Sequence, residues 1–417
     1  MFKKLSGYLL FITIGATLLM SSCEKPGLKY KALEGMMQDA VADSAWPGCV
    51  LLVGRGDSIV FWEAAGYTSY AQIQKIRKDD IFDLASVSKV IGSTSALMML
   101  TESGQIGLED RAVKYLPQLR GPDALTTIQK KQISIRHLLT HTAGFEPFRL
   151  FYQMDIPQEA RWDSVYQSPL LTKPGTATVY SDIGLMLLGK IIEAVTGLPL
   201  DSYLQKAIFE PLKMEDTFYN PPAGLWERIV PTEIDPERGG LVHGIVHDEN
   251  TESLGGVAGH AGLFSTAGDL SRFCRMMLNM GELEGIRIFE PETVRQFTAR
   301  ISAESSRCLG WDSPEGESSG GIYLSSESYG HTGFTGTSLW IDPVNGVYVI
   351  LLSNAVHPDR SWKMPKYYEW RQLLHSAAYE ELGIRKRNPD LVLKARWAKE
   401  FGIKSRVSGS GNRSKHN

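Results

Sequence analysis

Cysteine is scarce in this chain of 417 residues, which contains four. Cys49, Cys274 and Cys308 are odd in number and lack the spacing of metal ligands, so neither a disulfide framework nor a cysteine metal site is expected. Cys49 lies in the apolar run Cys49-Val50-Leu51-Leu52-Val53 and Cys274 in an amphipathic helical pattern, so the three read as buried apolar residues. An excess of one charge is also missing: 44 Lys and Arg face 47 Asp and Glu, for a net charge of −3. With no basic block in the body of the chain, nucleic acid is not an expected partner. Long apolar runs are absent too. The one candidate, Leu5 to Met20, is too short for a membrane span. It follows Lys3 and Lys4 and leads to Ser21 and Ser22, the layout of an export signal over residues 1–22.

What remains is 43% hydrophobic and 22% charged, enough for one large core or two. A short linker, 23–32, is expected before a single domain over 33–385, with a C-terminal extension, 386–417, whose polar end Ser405–Asn417 reads as disordered. An amphipathic helix is expected around Tyr30–Ser44, then strands at Cys49–Gly54 and Ser58–Ala65 around the turn Arg55-Gly56-Asp57. From about 108 to 303 the texture is helical, with Gly/Pro-punctuated loops and few strand signals. Strands return at Gly320–Leu324, Thr337–Asp342 and Val347–Ser353, the last two joined by the hairpin loop Asp342-Pro343-Val344-Asn345-Gly346. A helix around Tyr367–Leu382 follows. The expected fold is α+β: an antiparallel sheet flanked by the terminal helices, plus a mostly helical second lobe, with a site in the cleft between them.

Ser86-Val87-Ser88-Lys89 carries the most chemistry. It precedes the apolar-periodic run Val90–Leu100, so it is expected to open a helix. Positions i and i+3 share a helix face, which puts the Lys89 amine beside the Ser86 hydroxyl. A neutral lysine there takes the serine proton, and the unpaired N–H groups of a helix start suit an oxyanion. Ser22-Cys23-Glu24-Lys25 has the same pattern but sits at the export signal. Two further fragments supply partners. Tyr180 in Tyr180-Ser181-Asp182 offers a phenol that passes protons when a lysine is near. Gly330-His331-Thr332-Gly333-Phe334-Thr335-Gly336 offers a strand whose glycines let a substrate approach, with the Phe334 N–H completing an oxyanion pair with that of Ser86.

Ser-x-x-Lys, Tyr-Ser-Asp and His-Thr-Gly, in that order, resemble the serine β-lactamase and penicillin-binding protein superfamily. The branch is that of class C β-lactamases, DD-carboxypeptidases, D-aminopeptidases and penicillin-binding esterases. Pro47-Gly48-Cys49, the stretch from His137 to Gly144, and Ala261-Gly262-Leu263-Phe264-Ser265-Thr266 extend the likeness, which runs from about Leu33 to Leu382. The resemblance implies a β-lactamase/DD-peptidase-like fold, Ser86 as acylated nucleophile, Lys89 as its general base and Tyr180 as base or proton relay. It gives Asp182, His331, Thr332, Gly333 and Phe334 to substrate and oxyanion binding, and implies no metal or organic cofactor. Leu18-Leu19-Met20-Ser21-Ser22-Cys23 resembles a bacterial lipoprotein signal, which implies lipidation of Cys23 and an exported, membrane-anchored protein of the periplasm or cell surface.

Two positions depart from the family pattern. Asp182 stands where many relatives carry asparagine, and an ionised aspartate offers only acceptors and a negative charge, favouring a charged Lys89 or an amine on the substrate. His331 stands where β-lactamases carry lysine; partly charged near neutral pH, it is expected to hold a substrate carboxylate weakly and pH-dependently. The expected function is hydrolysis of D-amino-acid peptides of cell-wall type or of small esters through an acyl-enzyme on Ser86. β-Lactam hydrolysis, a non-catalytic penicillin-binding sensor and transpeptidation stand as alternatives, and oligomeric state is not legible. His137 and His141, spaced i, i+4, are read as core or hydrogen-bonded residues. His243, His247, Asp248 and Glu249 are read as a hydrogen-bond network at the cleft edge, Trp311 and Phe145 as core aromatics, and His260 and His357 receive no role.

Overall fold

Strands that are apolar at nearly every position need cover on both faces, and the architecture provides it. A computed structural model describes residues 30–303 and 305–394; the export signal, Cys23 and the tail from Ser405 lie outside the described residues. Strands β1 (Gly48–Arg55), β2 (Ser58–Gly66), β3 (Tyr329–Thr332), β4 (Ser338–Asp342) and β5 (Val347–Ser353) form one antiparallel sheet in the order β3-β4-β5-β1-β2. The register sets Leu51 opposite Leu351 and Leu52 opposite Ile350. Because side chains alternate between faces, Val50, Leu52, Ile350 and Leu352 enter the core shared with the helical lobe. Cys49, Leu51, Val349 and Leu351 enter a second core against the terminal helices α1 (Lys31–Ala42) and α5 (Lys366–Glu381). Each such side chain contributes about 1.5–3 kcal/mol of burial, which makes this sheet the rigid floor of the molecule.

Cys49, Cys274 and Cys308 are all free and fully buried, as their apolar settings predict. Gly56 takes φ 55° in the β1–β2 turn, and the Asp342 carboxylate closes the β4–β5 loop by accepting from the N–H groups of Val344 and Asn345. The helical lobe is built on α3 (Asp182–Thr196), nearly apolar all round and buried from Ile183 to Gly189. The helix α4 (Ala267–Leu278) connects this lobe to β1 and β5. No single helix among the described residues is long and apolar enough to cross a membrane.

Four expectations need correction. Gly320–Leu324 is not a strand: Gly321 turns at φ 87°, the Ile322 N–H donates to Ser376 Oγ of α5, and the Ile322 carbonyl accepts from Asn388, so the helix and C-terminal segment take its polar groups. The lobe from 108 to 303 is not strand-poor throughout: Leu263–Ser265 pairs with both Phe82–Asp83 and Phe218–Tyr219. The helix α1 already begins at Lys31, inside the expected linker 23–32. Finally, Ser86 does not open a regular α-helix. It lies in a 3₁₀ turn, Ala85–Val87, followed by a π-helix, Lys89–Thr94, before α2 (Ser95–Glu102). The 3₁₀ turn brings Lys89 beside Ser86, and the residues of the π-helix that follows are buried in the core.

Candidate active site

Ser86 is presented on a strained turn. Ala85 before it has φ 46°, a left-handed conformation that costs a non-glycine residue energy and persists only where the surroundings fix it. Here they do. Asp83 Oδ1 accepts from the Ala85 N–H at 2.8 Å, and its Oδ2 accepts from the His247 N–H at 2.6 Å. The carbonyls of Asp83 and Leu84 accept from the hydroxyls of Thr335 (2.7 Å) and Thr337 (2.8 Å), which straps the turn to the segment after β3. The strap requires glycine at 333: a Cβ there would lie 2.3 Å from the Leu84 carbonyl oxygen. From below, Leu84 N–H donates to the Leu263 carbonyl and Leu263 N–H to Ser88 Oγ, which explains the Ala261–Thr266 motif as the bed of the nucleophile turn.

Lys89 is 1% exposed, donates to Ser86 Oγ (2.7 Å) and the His260 carbonyl (3.1 Å), and forms an ion pair with Asp182 Oδ1 at 2.7 Å. Burial works against its charge, but the Asp182 carboxylate and Tyr180 outweigh burial and raise the amine above its ordinary value. Lys89 is therefore an ammonium that donates to Ser86. The neutral amine expected of a general base is corrected by this geometry, whereas the expectation that Asp182 favours a charged lysine holds. Asp182 also starts α3, where the helix dipole favours a carboxylate. With Asp248 and His260 it forms a cluster whose ligand-type atoms lie within 4.8 Å of one another, and the cation this cluster faces is the Lys89 ammonium.

Tyr180 is held by its neighbours in the chain. Ser181 N–H donates to His141 Nδ1 (3.1 Å), Ser181 Oγ to the Glu146 carbonyl (2.6 Å) and Asp182 N–H to the Pro147 carbonyl (2.8 Å). The His141 ring packs 4.5 Å from the phenol ring and the His331 ring 6.0 Å on another side. Two cations face the phenol ring, Lys89 at 5.0 Å and Arg307 at 5.1 Å from its centre. His331 itself is buried, and burial with Lys89 and Arg307 nearby pushes it down to about 3. It is neutral at any ordinary pH, so its Nδ1–H donates to the Thr332 carbonyl at 2.8 Å and Nε2 is a buried acceptor with no hydrogen-bond partner among the described residues. The pH-dependent grip expected near neutrality is corrected accordingly.

Ser86, Tyr180, His331, Thr332, Gly333 and Phe334 share the wall of one cavity of about 280 Å³, with Lys89 and Asp182 adjoining it through Ser86 and Lys89. The remaining histidines fall only in part as read: His243 bonds to the Trp226 and Ile229 carbonyls and Asp248 to His260, outside the expected network. His137 closes a capping box with Ser134, and His247 and Glu249 join Glu233 and Arg360 in a network at the cleft. His137 and His141 do not share a helix face, because the helix ends at Leu139 and His141 turns at φ 57°. Trp311 and Phe145 are buried core. Sequence reasoning missed His260, whose carbonyl holds Lys89, and six cavity residues, Arg307, Asp312, Lys363, Tyr367, Tyr368 and Arg371. Only the i, i+4 spacing of Tyr367 and Arg371, a cation on the aromatic side of a helix, gave any signal.

Fold and site together define a serine hydrolase of the β-lactamase and penicillin-binding class. The β-lactamase family model matches residues 33–374, and the chain belongs to that family. It is 34% identical over 390 residues to a protein of Escherichia coli K12 named "Putative D-alanyl-D-alanine carboxypeptidase", spanning 85% of this chain and 89% of that one. The fold resembles a penicillin-binding protein homologue from Caulobacter crescentus, with TM-score 0.66 and 17% identity over 84% of this chain and 97% of that one. It also resembles EstCE1, a hydrolase with promiscuous acyltransferase activity, with TM-score 0.64 and 21% identity over 83% and 97%.

Proposed function

We propose that the chain cleaves the terminal peptide bond of D-amino-acid peptides of cell-wall type, and small esters, through an acyl-enzyme on Ser86. The observation that carries this reading is the Lys89 ammonium, held behind the cavity wall 2.7 Å from both Ser86 Oγ and Asp182 Oδ1. Because Lys89 donates to Ser86, the serine proton goes to Tyr180. Tyr180 acts as a relay, taking the serine proton as its own phenol proton moves on to the leaving group, and its ring stays between the Lys89 and Arg307 cations throughout. Ser86 Oγ bonds to the substrate carbonyl carbon, and the oxyanion accepts from the N–H groups of Ser86 and Phe334. Collapse breaks the bond to the leaving nitrogen or oxygen, which receives the proton from Tyr180. Water then repeats the sequence and frees Ser86. The neutral, buried His331 favours this reading over dedicated β-lactam hydrolysis.

The test is mass spectrometry of the protein after brief exposure to p-nitrophenyl acetate and to a β-lactam, with release of D-alanine from a D-Ala-D-Ala peptide measured alongside. A single adduct on Ser86, lost in Ser86→Ala with hydrolysis, is expected. Folded protein with no adduct from either probe and equal ester rates in both forms would favour the non-catalytic sensor. The reading extends to export and lipidation on Cys23, supported by the signal layout alone. Cys23→Ser is expected to move the protein from the membrane pellet to the soluble fraction, and unchanged pelleting would reject the anchor.

A further inference from the structure

Three consecutive residues of the helical lobe, His247, Asp248 and Glu249, reach three parts of the active site. The His247 N–H donates to Asp83, which fixes the Ser86 turn, and Glu249 accepts from Arg360, in the segment that carries the cavity residue Lys363. Asp248, between them, turns to His260. Asp248 Oδ1 meets His260 Nε2 at 2.9 Å and also accepts from the Thr251 N–H at 2.7 Å, which caps the short helix Glu249–Ser253. Burial opposes the charge of Asp248, but His260 and the Thr251 bond outweigh it and hold the carboxyl below its ordinary value. An ionised carboxylate can only accept, so His260 Nε2 carries a proton and donates it to this bond. Thr251 Oγ1 lies 3.2 Å from the same nitrogen. With His260 1% exposed and Thr251 fully buried, water does not compete there.

The other end of His260 does chemical service, since its carbonyl accepts from Lys89 at 3.1 Å. That carbonyl belongs to the glycine-rich stretch Gly255-Gly256-Val257-Ala258-Gly259-His260-Ala261-Gly262, in which Gly255, Gly256 and Gly262 take φ 95°, 82° and 115°. Glycine backbone is conformationally free, and here no stiffer residue fits. A Cβ on Gly259 would lie 2.1 Å from the Leu185 carbonyl oxygen of α3, and one on Gly262 would lie 2.7 Å from the Gly256 carbonyl oxygen. Side chains therefore supply the order. Tyr219 Oη donates to the Ala258 carbonyl at 3.2 Å and Ser93 Oγ to the Gly259 carbonyl at 2.7 Å. At residue 260 the anchor is the bond from its own ring to Asp248.

We propose that Asp248 and His260 are positioning residues for the reaction at Ser86. Asp248 fixes the His260 ring, the ring fixes the carbonyl of its own residue, and that carbonyl sets the line of the Lys89 ammonium toward Ser86 Oγ. This rests on the reading of Ser86 as nucleophile. Among the described residues that line the cavity neither Asp248 nor His260 appears, so their removal acts on the chemical step and spares substrate binding. A reacting group displaced by about 1 Å loses on the order of a hundredfold in rate, which sets the scale of the effect.

The experiment is steady-state hydrolysis of p-nitrophenyl acetate by the full chain, with thermal unfolding of each variant measured alongside. Asp248→Ala is expected to lower kcat about 10–100-fold and to leave KM within about twofold. Asp248→Asn keeps an oxygen acceptor for both Thr251 and His260, and should recover kcat to within about threefold of wild type. His260→Ala keeps the carbonyl but loses its anchor, and should match Asp248→Ala. The double alanine variant should be no slower than the slower single one, because both side chains act through one carbonyl. The helix cap lost in Asp248→Ala lowers the melting temperature, and a purely structural role would stop there, with kcat of the folded protein unchanged. An unchanged kcat in folded Asp248→Ala, a rise in KM in place of the fall in kcat, or losses that multiply in the double variant would overturn the proposal. Should one alanine variant fail to fold, the other and Asp248→Asn decide. Wild-type protein that forms no Ser86 adduct would reject the nucleophile reading and this proposal with it, whereas an adduct together with unchanged rates rejects the positioning role alone.

Discussion

Replacing Asp182 by asparagine removes the one carboxylate bonded to Lys89 and keeps nearly the same shape. At 2.7 Å and an effective dielectric constant near 20, the gross attraction is about 6 kcal/mol. The retained amide oxygen and the 23% exposure of the Asp182 side chain, which admits water, reduce the loss. Removal of one partner from a buried pair costs about 3–5 kcal/mol in general, so a loss of about 3 kcal/mol of unfolding free energy is expected at pH 6. The pH dependence carries the stronger test. In the wild type the Lys89 value is raised, so the folded protein keeps the proton and the pair's contribution is flat below the ordinary amine value of 10.5, fading only as pH rises through the folded value. In Asp182→Asn the largest opposing charge is gone and only Tyr180 still acts against burial, so the folded-state value is expected to fall below that of the unfolded chain. The unfolded state then binds more protons, so the variant gains stability as pH rises and the gap to wild type narrows. Urea unfolding of both proteins at pH 6, 7.5 and 9, above the range where ordinary carboxylates titrate, measures this directly. A gap below about 1 kcal/mol at pH 6, or one that does not shrink by pH 9, would mean that Lys89 is not an ammonium held by Asp182.

The remaining expectations concern the walls of the cavity. Tyr180→Phe keeps the ring between His141 and His331 but removes the proton acceptor, so kcat for p-nitrophenyl acetate should fall about 10²–10⁴-fold with KM little changed, as read in steady-state assays. Gly333→Ala puts a Cβ 2.0 Å from Thr337 Oγ1 and 2.3 Å from the Leu84 carbonyl; thermal unfolding should report a loss of about 1–3 kcal/mol, and the displaced Ser86 turn a lower kcat. Since burial holds His331 at about 3, the pH–rate profile of His331→Gln should keep the wild-type shape between pH 5 and 8; a new inflection near pH 6.5 in the wild type alone would contradict this.

Much of the framework was legible in the sequence because it rests on local patterns. Runs such as Cys49–Val53 and Val347–Ser353 are apolar at nearly every position because the sheet is covered on both faces, so those strands announce themselves. Gly320–Leu324 misled for a related reason: an apolar segment packed beside a helix reads like a strand until its hydrogen-bond partners, here Ser376 and Asn388, are known. The local spacing of Ser86 and Lys89 survived even though the chain forms a 3₁₀ turn and then a π-helix instead of the expected α-helix, because a 3₁₀ turn brings i and i+3 to the same side.

By itself the sequence determined which residues meet. Ser86, Tyr180 and His331, far apart in the chain, share one cavity as the order of their motifs predicts. It also determined the sign of Asp182's effect on Lys89, since a carboxylate can only accept hydrogen bonds. Tertiary structure alone decided the charges those groups carry. Lys89 is an ammonium because three acceptors surround it, and His331 is neutral because it is sealed from water beside two cations. Lys363 and Arg371 look like ordinary surface cations in sequence, and only folding buries them together beside Ser86. Burial and the approach of partners distant in the chain set protonation, and neither is written in local spacing.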